Sequence, residues 1–177
     1  MDTAVPLGSR GYWILLALLV FSRGMDFLST WVGTPNLELE GNPVAKKLGW
    51  KWGLPLNGVI VFLVALWPVP AIVLSTTSVL VAARNFQHAW LMRSLGEHAY
   101  REWFVERVRE TRPQVFLFCL AGNTLLTAAV GLTLIFLDGP RVITAAIGMG
   151  IVAYAVVVAF YSLLALIRNR RNLNRKS

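Results

Sequence analysis

The stretch Tyr12-Trp-Ile-Leu-Leu-Ala-Leu-Leu-Val-Phe-Ser-Arg-Gly-Met-Asp-Phe-Leu-Ser-Thr-Trp-Val32 decides the fold. Its 21 residues are apolar except around Arg23 and Asp26, which stand three apart. A helix of about 20 such residues crosses a bilayer, because without water the backbone must satisfy its own hydrogen bonds. The stretch therefore predicts a first membrane span. Arg10 followed by an apolar run resembles a signal peptide, but no small-x-small cleavage site follows, and apolar residues continue past Asp26 through Phe27, Leu28 and Trp31. The reading is an uncleaved anchor.

The rest of the chain has the same character. Of its 177 residues 56% are hydrophobic and 15% charged, against roughly 25% charged in soluble domains. Disorder is excluded by this apolarity, and a disulfide scaffold by a single cysteine, Cys119, inside an apolar run. Three further spans are expected, at about Leu56 to Ala82, Val115 to Leu137 and Val142 to Ile167, the last two joined as a hairpin by Asp138 to Arg141. The second contains Pro68 and Pro70, which imply a sharp kink. It reads as one kinked crossing, or else as two half-helices, Leu56 to Leu66 and Ala71 to Ala82, that return to the same side. The fold class is thus all-α: a single-domain integral membrane bundle of four transmembrane helices plus one amphipathic interfacial helix.

That interfacial helix is expected at about 95–112. Ser94 and Glu97 have the spacing of a capping box, and Tyr100, Phe104 and Val108 recur every four residues beside Trp103, with arginines elsewhere. Such a helix lies on a membrane surface and favours anionic headgroups. The net charge of +8 raises nucleic acid as a partner, but the basic residues border the spans and give no aromatic-interleaved patch, so none is expected. With four spans, Arg10, the arginines from Arg84 to Arg112 and the tail 168–177 share one side, while Lys46, Lys47, Lys51 and Arg141 face the other. The positive-inside rule then places both termini in the cytoplasm of a multi-pass cell-membrane protein.

A charge inside a span costs about 2.5–3.5 kcal/mol at its centre and needs a reason. Arg23 and Asp26 are spaced to pair on one helix. Ser22, Asp26 and Thr30 form a stripe on one face, with Ser29 adjacent, which is expected to face the bundle interior in the outer half of the membrane. The following loop carries Glu38 and Glu40, and Asn42-Pro43 reads as the cap and first residue of a short helix to Trp50. On the third span Asn123, Thr127 and Gly131 form a further stripe, read as helix packing or, alternatively, with Asn123 facing Asp26. Ala146 and Gly150 on the fourth read as close-packing positions. His88 and His98, ten residues apart, do not share a helix face. No nucleophile and base lie together, and no metal or cofactor is implied.

Asp26-Phe-Leu-Ser-Thr30 followed by Glu40-Gly-Asn-Pro43 resembles the D-x-x-[ST]-T and E-x-N-P pattern of a family of small uncharacterised prokaryotic membrane proteins. The resemblance covers roughly Leu15 to Ala83. It implies importance for Asp26, Thr30, Glu40, Asn42 and Pro43 without assigning chemistry to them. Three classes of function stay open: a protein binding or moving a small cation, a proton or a polar headgroup at Arg23, Asp26, Ser29, Thr30, Glu38, Glu40, Asn42 and Asn123; an accessory subunit docking onto itself or another membrane protein; and a carboxylate or metal-dependent membrane hydrolase.

Overall fold

A computed structural model describes residues 4–137 and 142–174. Within them the chain forms six helices: α1 Arg10–Gly33, α2 Pro43–Val64, α3 Pro68–Leu95, α4 Glu97–Glu110, α5 Pro113–Leu137 and α6 Val142–Asn174. Four of these, α1, α3, α5 and α6, are long and apolar enough to cross a membrane. The link Asp138 to Arg141 and the end of the basic tail, from Arg175, lie outside the described residues.

The single kinked crossing over 56–82 does not form. The chain breaks at Ala65–Trp67, where Leu66 N–H donates to Leu63 O and Trp67 N–H to Val64 O. Trp67 is extended, and Pro68 and Pro70 fall in the first turn of α3. A residue before proline is pushed out of the helical region, and first-turn amides have no helical acceptor to lose. The two prolines therefore begin a helix instead of bending one. The break is that of the half-helix alternative, but both helices run much further, to Pro43 on one side and Leu95 on the other.

Cross-links fix the directions. Tyr12 OH donates to Phe62 O at 3.4 Å and Val5 N–H to Leu66 O at 2.8 Å, so the end of α2 meets the start of α1. At the other end Trp50 Nε1–H donates to Pro35 O at 2.8 Å. The two helices are antiparallel over nearly the whole of α1. From its break α3 runs back parallel to α1, with Ser78 level with Arg23 and Asn85 level with Thr30. It packs on α1 on one side and α6 on the other, and α6 packs on α5.

Small side chains make these contacts close. Ser22 and Ser29 of α1 and Ala71, Ser75, Ser78, Ala82 and Ala89 of α3 are buried, as membrane helices require when their backbones approach. In the α5–α6 hairpin Gly131 and Gly148 face each other: a Cβ on Gly131 would lie 2.7 Å from Gly148 O, and one on Gly148 2.6 Å from Gly131 O. Gly150 meets α3, where an added Cβ would lie 2.6 Å from Thr76 Cβ, and Ala146 is fully buried. The packing reading of Gly131, Ala146 and Gly150 therefore holds.

The capping box does not form. Gly96 takes a positive φ of 80° and ends α3, so α4 starts at Glu97 with no side-chain cap. Ser94 Oγ donates to Leu91 O within α3 instead. Glu97 turns away from its own helix to the 34–38 loop, accepting from Thr34 Oγ1 (2.7 Å), Asn36 N–H (2.8 Å) and Glu38 N–H (2.9 Å). The 34–42 loop and α4 are thereby at the same end of the bundle. The expectation that they face opposite sides of the membrane fails with the single crossing from which it followed.

Two predictions follow from this packing. Gly148→Val forces two backbones apart and is expected to lower unfolding stability by about 2–3 kcal/mol in detergent. Gly122→Ala, with open space at the new methyl, leaves stability equal or slightly higher. Comparable losses in both would contradict the close α5–α6 approach.

Candidate functional site

Arg23 lies at the centre of the site. Its position on α1 sets it opposite α2 and α3, and all three guanidinium nitrogens are used. Nη1–H donates to Asp26 Oδ2 at 2.7 Å and to Ser78 Oγ at 3.1 Å. Nε–H and Nη2–H both donate to Asn57 Oδ1, and Asn57 Nδ2–H donates on to Gly53 O at 2.9 Å. The cation also sits 5.6 Å from the centre of the Phe27 ring. The planar fork of a guanidinium suits such a multiple contact as an ammonium does not. The expected Arg23–Asp26 pair is present, and one side chain joins three helices.

Beside this clamp lies a cavity of about 790 Å³, lined from α1, the 34–42 loop, α2, α3, α4, Phe116 of α5, and α6. Asp26, Ser29 and Thr30 line it. Asn85 Nδ2–H donates to Ser29 Oγ at 3.3 Å and Thr30 Oγ1 at 3.4 Å. Ser22 takes no part: it is fully buried in the α1–α3 contact and donates to Leu19 O. The far wall comes from α6, with Tyr154, Val157, Tyr161 and Ser162, and from Phe104 and Val108 of α4. The apolar periodicity read in α4 thus points into the molecule, with Tyr100 buried beside it and its phenol pKa raised by that burial.

The loop closes one end of the cavity. Glu40, Asn42 and Leu39 line it. Glu40 Oε1 accepts from Asn42 N–H at 2.7 Å, and Asn42 Oδ1 accepts from Val44 and Ala45 N–H, so the capping role read in Asn42-Pro43 is observed. The short helix that follows ends at Gly49, whose φ of 63° kinks α2. Two expected site residues lie outside the cavity lining. Glu38 is exposed and contributes its backbone, N–H to Glu97 and O to Lys46 Nζ. Asn123 is exposed on α5 and lies outside the cavity lining, because α5 packs on α6 away from α1. Asn57, Ser78, Arg84 and Asn85, which carry no local signal of a site in the sequence, line the cavity.

His88 Nδ1 lies 3.1 Å from Arg84 O, and His98 is exposed beside Glu102. Among the described residues no group of three or more His, Cys, Asp and Glu is placed to hold a metal ion. No family model, curated protein or solved structure matches this chain.

Two outcomes test this geometry. Arg23→Leu strands Asp26, Asn57 and Ser78 together and is expected to cost roughly 3–5 kcal/mol, whereas Asp26→Asn leaves Arg23 bonded to Asn57 and Ser78 and costs less. Arg23→Leu with Asp26→Leu recovers only part, since Asn57 Oδ1 remains without its donor. Unfolding in detergent measures all three, and Asp26→Asn proving the costlier single change would contradict Arg23 as the hub. The second outcome concerns Glu97. Burial acts to raise its pKa, but the Asn36, Thr34 and Glu38 donors outweigh it and hold the carboxyl below its ordinary value of 4.5. A group depressed on folding stabilises above its unfolded pKa and loses that contribution as pH falls through its folded pKa. Acidification below about pH 4.5 is therefore expected to loosen the 34–42 loop, read as faster amide exchange at Asn36 and Glu38. Glu97→Gln should show that looseness already at neutral pH, and unchanged exchange would refute the anchor.

Proposed function

We propose that this chain is a polytopic membrane protein that binds the polar head of an amphiphile in the cavity beside the Arg23 clamp. The observation that carries the reading is the cavity itself, with polar groups on α1, α3 and the loop opposed by Phe104 and Val108 of α4 and by a mixed face of α6, where Val157, Val158 and Leu166 stand beside Tyr154 and Tyr161. Its volume, about 790 Å³, lies in the range of small-molecule sites and far exceeds what a bare cation or proton needs. Among the described residues α2 has no major packing on α5 or α6, so the row of helices is open on that side for an apolar chain to leave toward lipid. An accessory subunit that used Asp26 for packing alone would have no need of such a space. Asp26, Thr30, Glu40 and Asn42 supply polar groups to the cavity lining.

The sidedness proposed here follows from the direction of α2. If α1 crosses the membrane, α2 crosses with it, and its three lysines between Lys46 and Lys51 keep its first half at the interface. Lys46, Lys47, Lys51, the arginines from Arg93 to Arg112 and those from Arg168 on α6 then share one end, leaving Arg10 at the other. The positive-inside rule makes the crowded end cytoplasmic, with α4 at the level of anionic headgroups there. The start of α1 is outside, the end of α6 inside, and the site in the cytoplasmic half.

Labelling and lipid analysis test the two parts. With Cys119 replaced by serine, Leu7→Cys is expected to react with an impermeant thiol reagent in intact cells and Glu38→Cys to be shielded; the opposite pattern would reverse the sidedness. Protein purified in mild detergent is expected to carry an amphiphile visible by mass spectrometry, and Ser162→Trp, which fills the cavity from α6, to lose it by roughly tenfold. Equal amphiphile in both, or none above detergent background in either, would refute the binding role.

A further inference from the structure

The cavity holds two guanidinium groups in opposite conditions. Arg23 is saturated. Arg84, on α3, lines the same cavity, yet its Nη1 is buried without a hydrogen-bond partner. Among the described residues its guanidinium donates no hydrogen bond, and no carboxylate lies within ion-pair distance. A buried polar group is normally satisfied, and a charged donor left without a partner is the costliest exception. Arg84 therefore meets the cavity with a guanidinium whose donors no described residue uses.

Its surroundings define the chemistry. Thr77 Oγ1–H donates to Gly150 O at 3.0 Å, which fixes the face of α3 toward α6. Arg84 lies about two helical turns further along that face, and since α3 and α6 run the same way it is level with Tyr154 to Tyr161. Both tyrosines line the cavity and carry hydroxyls that can donate. A cation and neutral donors lining one cavity suit an oxyanion, and the guanidinium fork suits phosphate or carboxylate. The depth favours a lipid phosphate. The neighbouring Asn85 meets Thr30, about one turn from the end of α1, where a phosphate drawn slightly below the headgroup layer would lie.

We infer that Arg84 is the anchor for the phosphate of a phospholipid-type amphiphile, with Tyr154 and Tyr161 as accompanying donors. This rests on the amphiphile-binding reading and names its ligand class. Glu40, on the loop side of the same cavity, would meet whatever cationic part the headgroup carries.

The full chain, delipidated in detergent, is titrated with phosphatidylethanolamine, phosphatidylglycerol, oleate, diacylglycerol and inorganic phosphate, and adducts are read by native mass spectrometry beside thermal unfolding. The phospholipids are expected to bind and stabilise, diacylglycerol to bind at least roughly tenfold more weakly, and inorganic phosphate alone to have little effect. Arg84→Gln should lose that preference for phosphate over diacylglycerol, and Arg84→Lys should keep part of it. Without lipid, Arg84→Gln should unfold at a temperature equal to or above that of the parent, because it removes an uncompensated cation, and this serves as its folding control. If phospholipid and diacylglycerol bind alike, or if Arg84→Lys behaves as Arg84→Gln does and neither differs from the parent, the phosphate anchor is refuted while amphiphile binding stands. Preference for oleate over phospholipid, or full stabilisation by inorganic phosphate, overturns the phospholipid assignment. Failure of every amphiphile to bind overturns the underlying reading as well.

Discussion

The guanidinium of Arg23 is the constraint on which the rest of the structure depends. It stands within a segment that should be apolar, where an uncompensated charge would oppose insertion. Its compensation comes from Asp26 on its own helix and from Asn57 and Ser78 on two others. Because those partners lie on α2 and α3, satisfying the charge forces both helices against the same level of α1. The break at Ala65–Trp67 allows this arrangement, letting a segment of mixed polarity turn back and bring Asn57 to Arg23.

The cavity is a consequence of the same geometry. Close α1–α3 packing through serine and alanine leaves the bulkier faces of α1 and α2 turned aside. The second close approach, between α3 and α6 at Thr76 and Gly150, sets the opposite wall at a fixed separation. The loop from Thr34 to Asn42 lines one end of the cavity, held by the three donors that Glu97 gathers and by Trp50 Nε1–H and Lys46 Nζ donating to its carbonyls. A carboxylate at the start of one helix thus orders a loop some sixty residues earlier in the chain, and through it the placement of Glu40 and Asn42. Fold and site are joined by hydrogen bonds at two levels, one at Arg23 and one at Glu97.

Much of this was legible in the sequence, for identifiable reasons. The first, third and fourth expected spans correspond to α1, α5 and α6 because long uninterrupted apolar runs admit one reading. Asn42-Pro43 was legible because capping is local. Arg23 with Asp26 was legible because the pair is contained in a single turn. The second expected span differs from the structure because Pro68 and Pro70 suit an interior kink and a first helical turn alike by sequence, and in the first turn they lose no bond. A single crossing there keeps Asn57, Ser78, Arg84 and Asn85 away from the Arg23 site and sets the loops on opposite sides, whereas the break brings Asn57 and Ser78 to Arg23 and the loops to one end. A signal was available: Ala71, Ser75, Ser78, Ala82 and Ala89 recur at helical spacing and mark one packed face running through to Leu95. The role of Glu97 had no local signature, since its partners are distant in sequence, and the serine three residues before it gave a plausible local alternative.

The proposed occupancy of the space beside Arg23 by lipid is the consequence most open to test. It is tested most directly by nuclear Overhauser contacts in nanodiscs between acyl-chain protons and methyl groups of the protein. Leu125 and Val130 point outward on α5 and must show such contacts in any case. Lipid occupancy requires equally clear acyl contacts at Val81 and Val157, which line the cavity. Acyl contacts at Leu125 and Val130 with none at Val81 and Val157 would contradict it.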